Sequence, residues 1–161
     1  MKPILLFASL FFLASCSTTN YYIVRHAEKA PSDGAMTSDV PLSADGERRA
    51  AALVDVLKNK KIETIYATPY KRTQGTVQPL STAIGVPIQT YDPRDTSFAR
   101  KVKALNNHVL IAGHSNTVDD LVNGISGQKL LQDLPETQYG DLFIVKKKGG
   151  KYKLEQKRFG Q

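Results

Sequence analysis

The stretch Tyr21-Tyr22-Ile23-Val24-Arg25-His26-Ala27-Glu28-Lys29 decides the fold. Residues 21–24 form an apolar, β-prone run too short for a helix, which reads as a buried strand. Arginine and histidine follow it at once, and residues 28–41, with Pro, Ser, Asp and Gly, read as a loop. In open α/β sheets ligands bind outside the carboxyl ends of the strands, so Arg25 and His26 stand where a binding site is expected.

The pattern repeats along the chain. Residues 64–67 and 109–112 are further short apolar runs, and residues 86–90 suit an edge strand. Between them lie helical stripes. Ser43 is the expected N-cap of the first, with Asp45 and Glu47 in the first turn and Ala50, Leu53, Val54 and Leu57 on one face. Thr68 and Pro69 read as N-cap and first residue of the second helix, which carries Val77, Leu80 and Ile84 and ends at Gly85. Pro79 inside it predicts a kink or an earlier break. Phe98, Val102 and Leu105 mark a third helix, and Val118, Leu121, Val122 and Ile125 a fourth. Residues 142–148 and 151–157, joined by Gly149 and Gly150, read as a β-hairpin. Strands alternating with helices predict an α/β fold with a mostly parallel sheet.

The 161 residues suffice for one domain. The expected division is a signal segment over residues 1–15, a tether over 16–20 and a domain over 21–161. Lys2 precedes an apolar run over residues 4–13, shorter than the roughly 20 residues of a membrane-spanning helix. Leu13-Ala14-Ser15-Cys16 then resembles a bacterial lipobox, with Cys16, the sole cysteine, as the lipidated residue. Export to the cell envelope follows as an expectation, with a membrane partner held through that lipid and an outer-membrane or periplasmic location. The formal charge of +7 owes much to basic residues crowded on a C-terminal hairpin that reads as a solvated face, with Tyr152 as the one aromatic residue among its lysines, so nucleic acid is not an expected partner.

Three strand ends carry the chemistry. Arg25 and His26 follow the first strand, Arg72 lies early in the helix after the second, and Gly113, His114 and Ser115 follow the third. If those strands are neighbours, two arginines and two histidines converge. Guanidinium groups grip phosphate oxygens bidentately, and helix starts near Thr68 and Ser115 offer free N–H donors. No spacing of His, Cys, Asp or Glu predicts a metal site, and no cofactor is expected. Like charge around His26 is expected to keep its imidazole neutral and nucleophilic. His108 stands outside the motifs, and Tyr21 and Tyr22 read as strand packing.

The segment over residues 23–29 resembles the first signature of the histidine phosphatase superfamily, also called phosphoglycerate mutase-like, with Ala27 in place of the usual glycine. Residues 67–76, Ala-Thr-Pro-Tyr-Lys-Arg-Thr-Gln-Gly-Thr, are similar to its second motif, and residues 112–117, Ala-Gly-His-Ser-Asn-Thr, to its third. Residues 42–46 resemble the helix start between the first two. The resemblance implies a three-layer α/β/α sandwich and a phosphatase working through a phosphohistidine on His26. It implies a clamp of Arg25, Arg72 and His114, to which Ser115 is added as a substrate-binding residue. It points to Asp92 as general acid, with Asp95 second and Glu28 third by proximity to His26. The expected substrate is a phosphorylated small molecule or a phosphoprotein, protein phosphohistidine included. A phosphomutase and a catalytically silent phosphate-binding lipoprotein are the alternatives; short loops and an intact His26 favour hydrolysis.

Overall fold

Residues 18–32 and 39–160 are described by the computed structural model. The signal-like segment and Cys16 lie outside the described residues. The chain runs β1 (Thr19–Arg25), α1 (Ala44–Leu57), β2 (Thr64–Ala67), α2 (Lys71–Ile84), β3 (Ile88–Thr90), α3 (Phe98–Ala104), β4 (Val109–Gly113), α4 (Val118–Ser126), β5 (Asp141–Lys148) and β6 (Lys151–Arg158). The strands form one sheet in the order β3-β2-β4-β1-β5-β6. β1, β2, β3 and β4 are parallel; β5 and β6 add an antiparallel edge.

Side-chain alternation builds the three layers. Tyr21, Ile23, Val109, Ile111, Phe143 and Val145 face one side, where Phe98 and Val102 of α3 and Val118, Leu121, Val122 and Ile125 of α4 cover them. Tyr22, Val24, Leu110, Leu142 and Ile144 face the other, against Leu53 and Leu57 of α1 and Val77 and Leu80 of α2. The fold is therefore an α/β/α sandwich. Strands apolar at both alternating positions are the mark of a sheet buried on both faces.

Local chemistry sets the boundaries. The Ser43 hydroxyl accepts the Gly46 N–H at 3.1 Å and starts α1. α2 ends at Gly85, whose φ of 70° is the left-handed conformation that suits glycine. Gly149 and Gly150, with φ of 54° and 77°, make the two-residue hairpin turn between β5 and β6.

Several expectations give way. β1 begins at Thr19, because Thr19 and Asn20 pair with Lys147 and Lys146; they belong to the sheet and not to a tether. α2 is capped by Tyr70 without a side-chain bond, not by Thr68, since the Thr68 hydroxyl is turned inward to Thr73 and His114. Pro79 neither breaks nor ends α2, which continues to Ile84. Leu105 is 42% exposed and lies beyond α3, so it is not part of the core stripe.

α1 starts in close contact with the loop that follows β1. A Cβ on Gly46 would sit well inside van der Waals contact with the Glu28 carbonyl oxygen, a backbone atom that cannot rotate away. Helix propensity favours alanine over glycine by about 1 kcal/mol, but overpacking costs about 1–3 kcal/mol. Gly46→Ala is expected to lower stability by about 1–2 kcal/mol, read as a lower urea midpoint at unchanged m-value.

Candidate active site

The register of β1 on β4 sets Arg25 opposite Gly113, and the His26 N–H donates to the Gly113 carbonyl at 2.9 Å. His26 and His114 therefore leave adjacent strand ends together, their ring centroids 5.4 Å apart. β2 pairs with the other edge of β4, Ala67 opposite Ala112, and the first turn of α2 carries Arg72 to the same place. Arg72 Nη2 lies 3.4 Å from His114 Nδ1, and its guanidinium stacks over the Tyr70 ring at 4.5 Å. A cavity of about 470 Å³ opens there, lined by His26, Lys29, Tyr70, Arg72, Pro93, Arg94, His114, Ser115, Asn116, Thr117 and Glu136.

Hydrogen bonds orient both imidazoles. His26 Nδ1 lies 2.8 Å from the Ala27 carbonyl, which can only accept, so Nδ1 carries the proton and Nε2 has its lone pair free. His114 Nε2 lies 3.0 Å from the Thr68 hydroxyl, itself 2.7 Å from that of Thr73. The Thr73 hydroxyl donates to the Tyr70 carbonyl at 2.8 Å, so it accepts from Thr68, and Thr68 accepts from His114 Nε2–H. His108 lies away from the cavity and accepts the Asn20 N–H at 3.0 Å.

Arg25 is placed differently from Arg72. It is buried and does not line the cavity. Its Nη1 donates to the Pro135 and Gln138 carbonyls at 2.9 and 3.0 Å, and its Nη2 to Glu136 at 2.9 Å and to the Tyr139 hydroxyl at 3.4 Å. The segment after α4 is thereby folded back over the strand end, helped by Leu134, whose N–H donates to the Ser115 carbonyl at 3.1 Å.

The carboxylates singled out in the sequence lie elsewhere. Asp92 is paired with Arg94 at 3.2 Å in a neighbouring cleft, and Asp95 with Lys101 at 2.7 Å. Glu28 holds Arg49 at 2.6 Å, and Arg49 ties it to the Phe159 and Gly160 carbonyls. Among the described residues, the carboxylate on the cavity wall is Glu136, bonded to Arg25 and to the Ser115 hydroxyl. No motif or apolar periodicity flags Glu136: it stands in an irregular segment after the third motif, where only Pro135 and Gly140 mark a turn. Lys29 and Tyr70, also on the wall, fall inside the motif segments without a role there. No group of three or more His, Cys, Asp or Glu side chains gathers at metal distance among the described residues.

Both rings are held neutral. Burial, above all, pushes His26 down to about 3, and the charges of Arg25 and Arg72 add to it; the Ala27 bond opposes. Burial likewise brings His114 down to about 4, with Arg72 and then Arg25 behind it. The sequence argument named like charge as the cause; desolvation is the larger one. Folded rings bind protons more weakly than unfolded ones, so this contribution to stability is present above about pH 6.5 and is lost as pH falls through about 4 for His114 and about 3 for His26. The Cε1 protons of His26 and His114 are expected to keep constant NMR shifts from about pH 8 down to pH 5, where an ordinary histidine titrates fully.

The fold and part of the sequence are shared with known proteins. The sequence profile of the histidine phosphatase superfamily (branch 1) matches residues 21–94. The uncharacterized protein Rv0525 of Mycobacterium tuberculosis is 33% identical over 78 residues, 47% of this chain and 38% of that protein, so the chain covers about two fifths of the curated relative it matches. The fold is shared with the protein histidine phosphatase SixA, solved as a tungstate complex (TM-score 0.70, 21% identity, 86% of this chain and 96% of that one). It is shared also with the mycobacterial glucosyl-3-phosphoglycerate phosphatase Rv2419c (TM-score 0.65, 11% identity, 89% and 99%) and with YhfR of Bacillus stearothermophilus (TM-score 0.63, 17% identity, 84% and 95%). With that profile matched over residues 21–94, from β1 past the second motif, and that fold shared over most of its length, the chain resembles the histidine phosphatase superfamily (branch 1) in those residues and in its fold.

Proposed function

We propose that this protein is a phosphatase that hydrolyses phosphate monoesters or protein phosphohistidine through a phosphohistidine on His26, without a metal. The observation that carries the reading is the His26 ring: its Nδ1–H is engaged by the Ala27 carbonyl, and its neutral Nε2 stands in a cavity walled by Arg72 and His114. The lone pair on Nε2 attacks phosphorus, the bond to the leaving atom breaks, and that atom departs with the electron pair and takes up a proton. Water then attacks the phosphohistidine, releases phosphate and restores the neutral ring. Arg72 supplies the fixed positive charge that a loose phosphoryl-transfer transition state needs, and His114 joins the clamp when the phosphoryl dianion draws a proton onto its Nδ1.

The breadth of the substrate class follows from the neighbours. The same fold serves a protein histidine phosphatase, one structure of which holds the tetrahedral oxyanion tungstate, and a glucosyl-3-phosphoglycerate phosphatase. Both substrate types present the same terminal phosphoryl group to such a clamp. We further propose that Cys16 carries a lipid that holds the enzyme at the cell envelope, on the reading of residues 1–16 alone.

His26→Ala should abolish turnover of p-nitrophenyl phosphate, and with it the acid-labile label that the wild type acquires when the reaction is quenched at early times. Arg72→Ala should retain the fold and lower kcat/KM by about 10²–10³, the scale of one lost transition-state donor. Near-wild-type rates in the His26 variant would remove this mechanism.

A further inference from the structure

Glu136 has two properties that no other carboxylate among the described residues combines: it lines the cavity, and its partners are groups suited to an anion. One oxygen takes Nη2–H of Arg25 at 2.9 Å; the other accepts from the Ser115 hydroxyl. Arg25 belongs to the strand end that carries His26, and Ser115 to the one that carries His114. A carboxylate resting on these two donors occupies places that phosphoryl oxygens would take. The Arg25 side chain is only 3% exposed, whereas that of Glu136 is 73% exposed on its loop, so Glu136 is the partner free to swing away.

We propose that Glu136 is the proton donor to the leaving group, and that it is readied for this task when the incoming phosphoryl group displaces it from Arg25 and Ser115. The inference rests on the reading of His26 as nucleophile. In the free enzyme the Ser115 hydrogen bond, first, and the positive charges of Arg25 and Lys29 hold Glu136 below the usual carboxylate range; the neutral rings of His26 and His114 face it as well. Displacement removes the hydrogen bond and sets the carboxylate beside a phosphoryl anion. Both changes favour the protonated acid, which takes its proton from the solvent it faces.

The step balances. As Nε2 of His26 bonds to phosphorus, the phosphorus–oxygen bond to the leaving group breaks, and the departing oxygen receives the Glu136 proton. The resulting carboxylate then accepts a proton from the water that attacks the phosphohistidine, and when phosphate leaves, that proton returns to solvent and the carboxylate settles back on Arg25 and Ser115. Such a donor matters most where the leaving group is a poor one. An alkoxide cannot depart unprotonated at neutral pH, whereas p-nitrophenolate can.

The test compares the full chain with its Glu136→Gln variant on ethyl phosphate and on p-nitrophenyl phosphate. The variant is expected to lose about 10² more in kcat/KM on ethyl phosphate than on p-nitrophenyl phosphate, within the range of general acid catalysis. Glu136→Asp should recover part of the ethyl phosphate rate. Inorganic phosphate, as a competitive inhibitor, should bind the Gln variant several-fold more tightly, because an internal anion no longer competes for Arg25. Equal losses on the two substrates would overturn the proton-donor role, and unchanged phosphate inhibition would overturn the displacement. Failure of the wild type to form acid-labile phosphate on His26 is a separate result: it would remove the underlying mechanism and this inference with it.

Discussion

The site depends on the parallel pairing of β1 with β4. Its register sets Arg25 against Gly113 and locks the His26 amide onto the Gly113 carbonyl, so two imidazoles 88 positions apart in the chain emerge side by side. Side chains alternate between the faces of a strand, and a slip of one residue would send Tyr21 and Ile23 to the wrong layer along with everything after them. The apolar faces that hold the sheet between its helices therefore also hold the two histidines in place.

Burial does two jobs at these strand ends. It keeps both rings unprotonated, and it leaves His26 with a defined tautomer because a backbone carbonyl claims Nδ1. His114 is oriented from its other side by a chain of buried hydroxyls, Thr68 and Thr73, that ends on the Tyr70 carbonyl. The inward turn of Thr68 is also why it does not cap α2. Here one hydroxyl serves the site instead of a helix start.

Arg25 joins architecture to chemistry. Its guanidinium bonds to two backbone carbonyls of the segment after α4, that of Gln138 and that of Pro135, which also accepts the Gln138 N–H. The same group holds Glu136 at the cavity wall. The loop and the cavity wall thus share one buried cation.

The amino-acid sequence determined the layers on its own. Short apolar runs, amphipathic stripes, Ser43 at a helix start, Gly85 at a helix end and the Gly149-Gly150 turn are local signals, each acting within a few residues, and the structure follows them closely. His26, Arg72 and His114 were legible because they sit inside motifs at strand ends. The carboxylate at the cavity and the partners of Arg25 were not. Asp92 and Glu28 stand close in the chain to the motifs, yet each is drawn off by an arginine, Arg94 two residues away for one and Arg49 of α1, which only folding brings near, for the other. Glu136 arrives from an irregular segment with no periodicity, steered by hydrogen bonds to residues more than a hundred positions earlier and some twenty positions earlier. Such long-range polar contacts depend on where finished elements come to rest, and only the tertiary structure decides that.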